Sequence, residues 1–150
     1  EIANRIYTEL VTRKAAMLID EDKDVIVEVY NSWYKLFGII RDEIKNVPGK
    51  YLKNHDATEA LIGLSTKILN DGLRPHLTTY QAKFRRWYAE ALEDPKNKKL
   101  SPQEIQKKYP DYQELIDSIK VVNNTLIEYS KELRFLIKGK GTTSSSPNIA

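Results

Sequence analysis

At 150 residues the chain has the length of one ordinary domain, and a hydrophobic share of 41% excludes a wholly disordered polypeptide. The absence of cysteine excludes disulfides and thiolate-held metals. A formal net charge of +3 does not demand a nucleic-acid partner, but it is unevenly spread: residues 1–31 hold seven acids and four bases, residues 74–108 nine bases and four acids.

In chain order, Ile2, Ile6, Leu10, Lys14 and Met17 recur at steps of four or three, which predicts a first helix over 2–18. The acidic run Asp20–Asp24 breaks it and is expected to cap the next helix. That second helix is predicted over 23–46 from Ile26, Tyr30, Trp33, Phe37, Ile40 and Ile44, with Trp33 in the core and Tyr34 at its edge; Val47-Pro48-Gly49 stops it. A polar loop, Lys50 to Asp56, leads to a third helix lined by Ala57, Leu61, Leu64, Ile68 and Leu69. Asn70-Asp71-Gly72 has the form of a helix stop. Yet Leu69, Leu73, Leu77, Tyr80, Phe84, Trp87 and Ala91 keep one register across Pro75, which predicts a long kinked rod rather than a hairpin.

A charged loop over 92–100 precedes Ser101-Pro102-Gln103-Glu104, a capping-box pattern with proline at the first helical position. Pro110 ends that short helix, and Tyr112, Leu115, Ile119, Val122, Leu126, Tyr129, Leu133 and Leu136 predict a last helix over 111–138. Residues 139–150 are rich in glycine and serine and read as a flexible tail. The expected architecture is therefore all-α, a four- to five-helix bundle over 1–138 with one helix kinked near Pro75. No run reaches the roughly 18 apolar residues that span a bilayer, no signal-peptide pattern is visible, and the expected location is the cytoplasm. A start at Glu1 rather than methionine is expected of a piece of a longer chain, with the cytosolic part of a membrane-anchored protein as the alternative setting.

The chemistry-bearing residues are few. Carboxylate-bridged di-metal bundles use Glu-x-x-His, but the residues three before His55 and His76 are Leu52 and Leu73. There is no Gly-x-Ser-x-Gly; Gly139-Lys140-Gly141-Thr142 lacks the spacing and helix of a phosphate loop. Bundles of this size resemble HEPN-type ribonucleases, whose signature is an arginine, four to six residues, then a histidine. Here Arg74 and His76 are separated only by Pro75, and Lys50 stands where His55 would need an arginine, so that resemblance stops at fold and size and an HEPN-like nuclease stays a second alternative. No catalytic, cofactor or metal residue is assigned.

Two surface features remain. The basic residues Lys83, Arg85, Arg86, Lys96, Lys98, Lys99, Lys107 and Lys108 form a candidate surface for nucleic acid or anionic membrane, against the plainer reading of a solvated face broken by Glu90, Glu93, Asp94 and Glu104. Asp71, Arg74 and His76 cluster at the kink, where Arg74 or Asp71 is expected to satisfy the broken backbone bonds; a ligand pocket is the functional alternative.

The words IYTELVTRKA (6–15), VYNSWYKLFGIIRDEI (29–44), ILNDGLRPHLTTYQAKFRRWY (68–88) and LSPQEIQKKYPDYQELI (100–116) resemble the helical cytosolic domain of a group of uncharacterised bacterial proteins, some membrane-associated and several of defence type. The resemblance implies a non-catalytic regulatory or interaction module with a protein partner or a second copy of itself, and it implies no activity residue by residue.

Overall fold

The computed structural model describes residues 1–52 and 56–139. Among them there is no strand, and five helices pack around one core. We label them α1 (Ile2–Val11), α2 (Ile26–Lys45), α3 (56–93), α4 (Pro102–Gln106) and α5 (Tyr112–Lys138). The all-α bundle expected from the periodicity is what the chain forms. His55 and the tail residues 140–150 lie outside the described residues.

The first helix is shorter than its hydrophobic register. It ends at Val11, and residues 12–25 form an irregular strap in which Met17 is 40% exposed while Ala15 and Ile19 are buried. The reason lies far away in sequence. The buried Asn123 amide of α5 donates to the Lys14 and Ala15 carbonyls and accepts from the Ile19 N–H, and the Trp33 indole also donates to the Lys14 carbonyl. A continuing helix would use those carbonyls itself, so these tertiary bonds compete directly with it.

The start of α2 departs from expectation in the same way. It begins at Ile26, and the Asp20–Asp24 run places no side-chain cap on it. The buried Gln106 of α4 takes that role: its Oε1 accepts from the Ile26 N–H at 2.9 Å and its Nε2 donates to the Asp24 carbonyl. Asp24 accepts instead from the Asp20 N–H and pairs with Lys14. α4 itself follows its sequence pattern, with the Ser101–Glu104 capping box formed in both directions.

The third and fourth predicted helices are one. α3 runs from Asp56 through Pro75 to Glu93, widened into π-helical turns at Ile68–Leu73 and Leu77–Gln81 on either side of Arg74–His76. The Arg74 N–H reaches the Leu69 carbonyl, five residues back, so the ladder shifts its spacing around the proline rather than stopping. Thr78 Oγ1 donates to the Arg74 and Pro75 carbonyls, and Thr79 Oγ1 to that of Pro75. These threonines, rather than Arg74 or Asp71, serve the carbonyls of the widened turn. At Gly72 a Cβ would stand 2.8 Å from Leu126 Cδ2, so the missing side chain sets how closely α3 and α5 approach.

α1 packs chiefly on α5, and both the first half and the π-turns of α3 also lie against α5. Trp33, Tyr30 and Phe84 are the largest fully buried side chains and join α2 to α3. Ser65 is the one described polar side chain that is buried with no hydrogen-bond partner.

Candidate functional site

The π-turns make the two faces of α3 chemically different at 71–78. One faces the core between α2 and α5 and carries His76. The ring is 2% exposed, boxed by Tyr30, Trp33 and Tyr80 with centroids 4.9 to 5.5 Å away. Nε2 lies 2.8 Å from the Tyr30 hydroxyl and Nδ1 lies 2.8 Å from Ser118 Oγ. Burial pushes the imidazole down to about 4, so it is neutral near pH 7, and burial raises the Tyr30 phenol well above its usual range. Tyr30 has no other hydrogen-bond partner among the described residues, so its O–H donates to Nε2. A neutral ring then carries its own proton on Nδ1 and donates to Ser118. The serine therefore meets an N–H, not a base, and the Tyr30–His76–Ser118 chain ties α2, α3 and α5 together.

Beside this chain a recess of about 220 Å3 is lined by Asp71, Gly72, Pro75, His76, Tyr80 and Ser118 among others. Tyr80 donates to Glu114 at 3.0 Å, and that bond raises its phenol. Asp71 and His76 thus share a recess, as the sequence cluster suggested. Arg74 does not join them.

Arg74 points to the opposite side, toward α2. There Tyr34, Phe37, Gly38, Arg41, Arg74, Leu77 and Thr78 line a groove of about 350 Å3. Its α2 wall is a helical stripe: Tyr34, Gly38 and Arg41 are spaced by four and three. Tyr34 is 47% exposed, at the core edge as its position predicts. A Cβ on Gly38 would meet nothing within 4 Å, so the groove is open above it. The Arg74 guanidinium sits 5.0 Å from the Phe37 ring centre, and its Nε donates to Asn70. Arg85 lies against Tyr30 and Tyr34 and donates to Gln81 and Asn31. Among the described residues none of Arg41, Arg74 and Arg85 has an acid within ion-pair distance, whereas Arg13 and Arg86 each have one and Arg5 has two.

The basic set proposed from sequence is divided. Arg85 belongs to the groove edge, Arg86 pairs with Glu90, Lys107 with Asp22, and Lys108 donates to Asn97. The side chains of Lys83, Lys96, Lys98 and Lys99 have no partner among the described residues. Tyr88 is buried and Trp87 is half-buried against Phe84 and Tyr109, so neither offers an open stacking platform. No group of three or more metal-binding side chains occurs among the described residues, and no described helix is long and apolar enough to cross a membrane.

Sequence reasoning passed over Arg41, Phe37 and Gly38 as a site. The available signal was a glycine interrupting a strong amphipathic helix, with an aromatic four residues before and an arginine three after. Comparison with known proteins adds no identity: no family model matches the chain, and neither curated proteins nor solved structures give a match.

Proposed function

We propose that this chain is a non-catalytic interaction module that presents the α2–α3 face to a protein partner in a regulatory role. The observation that carries the reading is the groove itself. The chain leaves it unfilled beside Gly38, with an exposed Tyr34 on its rim, while the helices beneath it are tied by the buried Tyr30–His76–Ser118 chain. A rigid two-helix wall with an apolar floor is the geometry that receives a segment of another protein. The resemblance to helical domains of defence-type bacterial proteins supports the same role and a cytoplasmic setting.

Panning a random-peptide library on the chain tests this. The expected result is an enriched consensus whose binding is lost when Gly38→Leu fills the groove. Failure to enrich any sequence, or enrichment indifferent to Gly38→Leu, contradicts it.

A further inference from the structure

We propose that the α2–α3 groove takes an acidic peptide segment, with a bulky apolar side chain lodged above Gly38 and flanking carboxylates paired with Arg41 and Arg74. This rests on the interaction-module reading and adds the chemistry of the partner. Three observations select that occupant.

First, Arg41 and Arg74 stand on the two walls of one groove with no acid partner among the described residues, and Arg85, against the ring of the groove's Tyr34, extends the same charge. Guanidinium forks suit carboxylates, and pairs formed at the rim of an apolar groove are partly shielded from water. Second, the floor is apolar: Phe37 and Leu77 with the open space over Gly38 between them. One face of Phe37 and one of Tyr34 are already covered by guanidinium groups, which leaves less ring surface for the base stacking that single-stranded nucleic acid uses.

Third, the chain's own acidic run is not available to fill the site in a second copy. Glu21 pairs with Lys120, Asp22 with Lys107 and Asp24 with Lys14. A neighbour's Asp20–Asp24 segment would have to give up those contacts, whereas an external acidic peptide would not. The glycine is consistent with this: Gly38 weakens α2 relative to alanine, and no close contact among the described residues requires it.

The test uses fluorescence anisotropy with short labelled peptides carrying leucine and phenylalanine among aspartate and glutamate at helical spacing. Companion probes replace the acids by lysine, replace them by glutamine, or are a labelled single-stranded oligonucleotide. The expected result is saturable binding of the acidic peptide that weakens at least about tenfold in Gly38→Leu and in Arg41→Glu/Arg74→Glu, a loss of about 1.4 kcal/mol or more. Gly38→Leu is expected to keep or raise the thermal midpoint, so lost binding there reports a filled groove and not an unfolded chain. Lys83→Glu/Lys98→Glu, outside the groove, is expected to change binding less than twofold.

Equal binding of the lysine or glutamine peptide overturns the proposal while leaving the module reading in place. So does preferential binding of the oligonucleotide that depends on Lys83 and Lys98, which points to the basic segment instead. If acidic peptides do not bind but library panning yields another groove-dependent consensus, the partner chemistry is wrong and the module reading survives. If neither binds, both fail.

Discussion

The buried imidazole gives the chain a pH-dependent stability that can be worked through. Unfolded, His76 takes up its proton near pH 6.5; folded, burial among Tyr30, Trp33, Tyr80 and Ser118 holds it down to about 4. Between those values the unfolded chain binds more protons than the folded one. The stability contributed by the neutral ring is therefore complete above pH 6.5 and is lost as pH falls toward 4. Applying the linkage relation to 6.5 and 4 gives a loss of about 2.5 kcal/mol between pH 8 and pH 4.5, a large part of a typical domain's margin. Arg5 holds the Glu43 carboxyl low and Lys107 holds that of Asp22 low, but these contributions begin to be lost only at the acid end of that window and are common to the native chain and a His76 variant. The assay is urea unfolding at several pH values for the native chain and for His76→Gln, which removes the titrating ring while His55 stays common to both. The native chain should lose about 2.5 kcal/mol more than the variant across the window. Parallel pH profiles would refute the assignment of a neutral, buried His76.

Other expectations concern the packing that shapes the groove and the strap. Asn123→Leu leaves the Ile19 N–H and Ala15 carbonyl without their partner, so urea unfolding should show a loss of roughly 2–5 kcal/mol; a loss below about 1 kcal/mol would mean the strap is held by something else. The two glycines should respond with opposite sign in thermal melts. Gly72→Ala drives a methyl to 2.8 Å from Leu126 and should lower stability by about 1–2 kcal/mol, whereas Gly38→Ala meets open space and should raise it by about 0.5–1 kcal/mol. Ser65→Ala removes a buried hydroxyl with no partner and should be neutral or stabilising by about 1 kcal/mol; a clear loss would show that Oγ is satisfied after all.

Wherever a helix is decided by its own side-chain period, the sequence was a sufficient guide. α2 and α5 stand within a few residues of their predicted limits because each has a continuous apolar stripe, and α4 starts where its complete capping box places it. The unbroken register of Leu69, Leu73 and Leu77 across Pro75 likewise foretold that α3 is one helix. The failures share a cause: a long-range polar contact outweighed a local pattern. α1 stops short of its stripe because Asn123, more than a hundred residues away, takes its carbonyls, and α2 is capped by Gln106 rather than by the adjacent acids. The Asp71, Arg74 and His76 cluster was read as one site because the three are neighbours in sequence. On a π-widened helix, Arg74 instead turns to the surface groove beside α2 while His76 is enclosed in the core between α2 and α5. No local pattern could reveal that Arg41, one helix earlier, lacks an acid partner among the described residues, since that depends on what folding brings near it.

The functional account turns on where a partner touches the molecule. Amide chemical shifts of the isotopically labelled chain, followed as the acidic peptide is added, report this directly. The account predicts saturating shifts concentrated at Tyr34–Arg41 and Arg74–Thr78, and their disappearance in Gly38→Leu. Shifts centred instead on residues 96–108, or none anywhere at saturating peptide, would contradict it.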